Sequence, residues 1–282
     1  MVMGSVSISE CRALAASVEK ASGEVPRVLQ NLLDGFDDLD GQTAQPSDPA
    51  RRIVDAYAQG KHDRAAELIT EAAQIHHDAE YRKGLRQRAH NLFIERFFTE
   101  LCQGAADETL DSLRGQFDAA AEALAAATAV VDINANPAQL AETGTPEQLE
   151  AWRAIRPAIT QLDTIDAIAS RFGPQSIDFG VLDQPALIDC MDLVDDALMC
   201  TSSDIVQAGK AFRARTADIR TAPWLRITPK LNTISEAQER LRAWAEQEWN
   251  LLNPHDPSRG QLDENGHVIA EVRRNPFALA DR

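Results

Sequence analysis

Aromatic residues are scarce in this chain of 282 residues: they make up 5% of it, although hydrophobic residues together make up 44%. A core with few bulky side chains depends on many close helix contacts or on oligomerisation. Cysteine is also rare, and the four cysteines form neither a Cys-x-x-Cys pair nor a Cys/His set with zinc-finger spacing. The sequence therefore predicts reduced thiols in a reducing compartment and no zinc site.

Membrane and nucleotide signatures are missing as well. No stretch approaches the ~18 apolar residues of a membrane span, and the N-terminus lacks a basic segment followed by an apolar run, so we expect a cytoplasmic protein without membrane contact. The patterns Gly-x-x-x-x-Gly-Lys-Ser/Thr, Gly-x-Gly-x-x-Gly and Gly-x-Ser-x-Gly are absent. We therefore expect no cofactor. A cysteine nucleophile paired with a distant histidine stays open, because such partners meet only in the fold.

Two acidic segments resemble parts of metal sites, but each lacks essential ligands. His76 and Glu80 lie four residues apart on a predicted helix, yet the Glu-x-x-His pairs of di-metal helical bundles are missing. The segment 263–266 has the acids of a calcium loop, but Gln261 and Val272 occupy its first and last ligand positions. The sequence therefore indicates no metal site.

Acidic residues outnumber basic ones by 44 to 28, which gives a formal net charge of −16 and argues against bulk attraction to DNA or to anionic membranes. The charges are also segregated. Between Asp107 and Glu150 the only basic residue is Arg114, whereas five basic residues are concentrated in a short upstream stretch: Arg82, Lys83, Arg86, Arg88 and Arg96. This layout is compatible with pairing inside the chain, with a protein partner or, as the least favoured alternative, with nucleic acid.

The clearest pattern in the chain predicts a long helix with one continuous apolar face. Its residues recur at alternating steps of three and four: Leu110, Leu113, Phe117, Ala120, Leu124, Ala127 and Val131. A second helical run extends from Asp63 to Leu101, and Cys102-Gln103-Gly104 after it predicts a tight turn. We therefore expect an antiparallel helical hairpin, whose apolar face is either the core of a helical domain or a surface for a partner.

The remaining helix-start, proline and turn signals predict an all-α, multi-helix bundle around this central hairpin. They also predict one small β-hairpin at the Asn265-Gly266 pair near the C-terminus. Helix starts are predicted at the capping boxes beginning with Ser7 and Ser235 and at Thr145-Pro146, and a kink or break is predicted at Pro157. The expected organisation follows the chain: N-terminal helices in 1–34, an acidic linker in 35–48, a helical domain with the hairpin in 49–133, a second helical region packing on it in 134–252, and the β-hairpin with an extended tail in 253–282.

The tail contains the one family resemblance. The residues Glu271-Val272-Arg273-Arg274-Asn275-Pro276-Phe277 resemble the Arg-Asn-Pro-Phe/Trp segment of some tailed-phage virion and assembly proteins. The resemblance covers only these residues, and the phage segments commonly continue further than this chain does. It implies a phage structural protein, located in the virion, whose tail docks on a neighbouring subunit with Phe277 as apolar anchor and Pro276 fixing an extended conformation.

Three functional hypotheses follow. The first is a non-enzymatic helical interaction or assembly protein, for which the tail resemblance alone implies a phage virion or assembly component. Its interface residues are Leu110, Leu113, Phe117, Leu124, Val131, Pro276 and Phe277. The second is a bacterial regulatory or nucleic-acid-associated factor that uses the basic residues Arg82 to Arg96. The third is a helical enzyme without a linear motif, for which the sequence contains no positive signal.

Substitution of Leu113→Asp together with Leu124→Asp tests the two interpretations of the apolar face. If the face is internal, the double variant does not fold, because two charges are then buried without partners. If it is an interface, the variant folds but associates less. Circular dichroism melting and the mass in solution measure the two outcomes, and unchanged values for both would contradict both interpretations.

Overall fold

A computed structural model describes residues 6–41, 62–173, 179–182 and 196–252. These ranges are mostly helical, which confirms the prediction of a helical protein for this part of the chain. The α-helices are α1 (Ile8–Lys20), α2 (Arg27–Gly41), α3 (His62–Glu100), α4 (Ala106–Val130), α5 (Pro137–Thr143), α6 (Pro146–Ala169), α7 (Ile205–Arg213) and α8 (Ile234–Leu252). The predicted C-terminal β-hairpin lies outside the described residues.

The packing of α4 against α6 forms the centre of the molecule. The predicted apolar face of α4 is buried along its whole length, from Leu110, which is inaccessible to solvent, to Val131, which is 4% exposed. On α6 the buried residues recur at helical spacing: Ile155, Ala158, Ile159, Leu162, Ile165, Ile168 and Ala169. One main hydrophobic core extends from α1 to α8, so the predicted segments 1–34, 49–133 and 134–252 all contribute to it.

Aromatic contacts show that α4 and α6 run in opposite directions. Phe172, directly after α6, lies 6.5 Å from the ring of Phe179, and Phe179 lies 6.0 Å from the ring of Phe97. Phe97 is in the last turn of α3, just before α4 begins. The end of α6 therefore lies near the start of α4, as in an antiparallel pair.

The predicted hairpin between α3 and α4 is not confirmed. The residues Leu101–Ala105 form a π-helical turn in which Gly104 has a φ of 121°, a left-handed conformation that favours glycine. After this bend, α6 covers the buried face of α4, whereas α3 packs on α2 and α1. The helical periodicity of α4 identifies which face is buried, but it does not specify which helix covers that face.

The helix starts match the predictions at two of three places. Reciprocal capping boxes are formed by Ser7 with Glu10 and by Thr145 with Gln148, which confirms those two starts. The third start is shifted, because α8 is capped by Thr233 with Glu236 and not by Ser235.

Two predicted interruptions in helices are absent. At Pro157 we expected a kink or a break, and the break is absent, since α6 continues through this exposed proline to Ala169. We also expected α2 to end near Leu33 and an acidic linker to follow. Instead α2 continues to Gly41, because Phe36 is buried against the ring of His90, 4.3 Å away, and such a contact overrides the weak local preference of an acidic segment.

A close contact joins the end of α1 to the central helix. Ser22 adopts a φ of 64°, and the amide of Gly23 donates to the carbonyl of Val18 at 2.9 Å, as in a Schellman C-cap. A Cβ atom added to Gly23 would lie 2.5 Å from Cδ2 of Leu113, which is fully buried. A larger residue at position 23 therefore forces α1 away from α4.

We predict that Gly23→Ala lowers the free energy of unfolding by roughly 1–3 kcal/mol, because the added methyl group overpacks Leu113. The matched control is Gly115→Ala. Gly115 is exposed inside α4 with no atom within 4 Å of an added Cβ, so this change raises the free energy of unfolding by about 0.5–1 kcal/mol. Urea denaturation measures both, and equal effects of the two substitutions would contradict the close contact.

Candidate functional site

Two carboxylates on α6 share one guanidinium. Nη2 of Arg215 lies 2.8 Å from Oδ2 of Asp163, and Nη1 lies 3.2 Å from Oδ2 of Asp166. The indole N–H of Trp224 donates to the other oxygen of Asp163 at 2.7 Å. These charge-assisted bonds attach the segment after α7 to the central helix pair.

Burial raises the pKa of Asp166 to about 6, and the negative charge of Asp163 acts in the same direction. The positive charge of Arg215 and the Ser170 hydroxyl, which donates at 3.4 Å, oppose this shift only in part. A carboxyl group with a raised pKa can transfer protons near neutral pH. Here both of its oxygens accept hydrogen bonds from side chains of this chain, an arrangement that suits the anchoring of a segment.

A second polar cluster surrounds Asn232, which is fully buried. Its amide Nδ2 donates to the carbonyls of Ala197 and Cys200, both at 2.8 Å, and its backbone N–H donates to the carbonyl of Leu198, also at 2.8 Å. Arg240 donates to the carbonyl of Cys200 at 3.2 Å. Asn232 therefore holds the turn at residues 197–200 against the start of α8.

The thiol of Cys200 lies in the same cluster and is unsuited to nucleophilic attack. Burial raises its pKa to about 12, and the charges of Asp196 and Asp204 contribute to the rise. The thiolate is the nucleophilic form of cysteine, and it is scarce at neutral pH when the pKa is this high. The sequence did not exclude a cysteine nucleophile, but Cys200 is a structural residue.

The N-terminus of α8 is held by α4. Oδ1 of Asp107 accepts the backbone N–H of Ile234 at 2.6 Å, and Oδ2 accepts the hydroxyl of Ser235 at 2.6 Å. About two turns further along α4, Arg114 donates to Glu236 at 3.1 Å. A carboxylate at a helix N-terminus stabilises it, so this contact fixes α8 on the central pair.

An exposed charged surface lies on α3. Near its start there is an open depression of about 630 Å³, and the described residues that line it are Glu67, Thr70, Glu71 and Gln74. Arg64 pairs with both glutamates, at 2.6 Å from Glu67 and 3.2 Å from Glu71. Near the end of the helix, the exposed Arg88 and Arg96 flank Leu92, which is 57% exposed.

The residues singled out from the sequence form an apolar group, a basic group and a group outside the described residues. The apolar residues Leu110, Leu113, Phe117, Leu124 and Val131 lie together inside the core of this chain.

Of the basic residues, Lys83 and Arg88 are exposed, Arg86 is half-buried, and Arg96 pairs with Glu100. The side chain of Arg82 lies outside the described part, as do Pro276 and Phe277.

The carboxylate pair was missed from the sequence. Asp163 and Asp166 are three residues apart on a predicted helix, which places them on one side, but they were not singled out. Their partners Arg215 and Trp224 are distant in the sequence and meet them only through the fold. The exposed Leu92 was also not singled out, because in the sequence it is one of several apolar residues at helical spacing in the run from Asp63 to Leu101.

Within the described ranges, no group of three or more His, Cys, Asp or Glu side chains is arranged to hold a metal ion. None of the described helices is both long and apolar enough to cross a membrane. No protein-family model matches the chain, and searches of curated proteins and of solved structures find no match either. The fold defines a mostly helical protein, and the features that bear on its function are its own polar clusters and exposed surfaces.

We predict that the Asp166 carboxyl titrates near pH 6, against 3.8 for an ordinary aspartate. The pKa of Asp166 is higher in the folded than in the unfolded chain. Its contribution to the free energy of unfolding is therefore complete below about pH 4 and is lost as the pH rises through about 6. Relative to Asp166→Asn, the wild type should lose on the order of 1 kcal/mol of unfolding free energy between about pH 5 and about pH 7. Urea denaturation of both proteins measures this difference. A carboxyl carbon resonance of Asp166 that titrates near pH 4 would contradict it.

Proposed function

We propose that the protein is a non-enzymatic helical interaction protein and that α3 carries its binding surface for another protein chain. The supporting observation is the position of α3 relative to the core. This helix has 39 residues, which corresponds to about 58 Å. Among its side chains that the structure describes, the buried one in the main core is Phe97, near its end. Ala65 and Leu68 form a separate small cluster.

The other polar clusters described above are built from contacts within the chain. Arg215 and Trp224 bind Asp163, Nδ2 of Asn232 donates to backbone carbonyls, and Asp107 binds the start of α8. The apolar face of α4 is covered by α6. These sites hold elements together, so the exposed face of α3 is the better candidate for contact with a partner.

The charge distribution on α3 favours a protein partner over nucleic acid. Arg88 follows Lys83 by five positions, which places these two cations about 140° apart around the helix axis, so they do not form one strip along a phosphate backbone. Glu67 and Glu71 lie exposed on the same helix and repel phosphates. The proposal rests on α3 and does not require the phage-like C-terminal segment.

A photoreactive residue tests this proposal directly. With benzoylphenylalanine in place of the exposed Thr70, irradiation of cells that make the protein should yield a discrete protein–protein adduct. The same residue in place of the exposed Ala126 on α4 serves as the control and should yield no such adduct. An adduct that nucleases remove, or equal adducts at the two positions, would contradict the proposed function.

A further inference from the structure

No further inference is drawn: the strongest candidate, the basic surface patch on α7 and the segment after it, where Lys210, Arg220 and Arg226 are exposed, carries no proposal because nothing in the structure shows what covers it.

Discussion

The close packing of α4 on α6 is the constraint on which the rest of the structure depends. Small residues such as Ala120 and Ala127 are almost fully buried between larger ones such as Phe117 and Leu124, so the two helices interdigitate at short range. Because this contact uses the whole apolar face of α4, other elements attach to the pair mainly through its edges. Polar side chains on those edges do this: Asp107 holds the start of α8, and Asp163 holds Trp224.

The same constraint determines what remains available to a partner. The bend at Gly104 directs α3 away from α4, and in the described part of the chain the long helix packs on α2 and α1 near its end. A long helix with few contacts in the described core is stabilised by its own side-chain pairs or by contacts with other parts of the chain or with a partner. The pairing of Arg64 with two glutamates is an example of the first, and the exposed Leu92 between two arginines suits the second.

Features set by neighbouring residues could be predicted from the sequence. The helical class, the buried face of α4 and the capping boxes at Ser7 and Thr145 depend on spacings of three and four residues. Features set by distant residues could not. The covering of α4 by α6, the extension of α2 through Phe36 and the sharing of Arg215 by two aspartates each require contacts that only the folded chain makes.

Amide hydrogen exchange, followed residue by residue, tests most directly the claim that α4 and α6 form the core while the first half of α3 lies outside it. We predict that amides in 110–127 and 155–168 exchange last. Amides between residues 63 and 74 should exchange earlier than these. Exchange in 63–74 that is as slow as in α4, or fast exchange within α4, would contradict this claim.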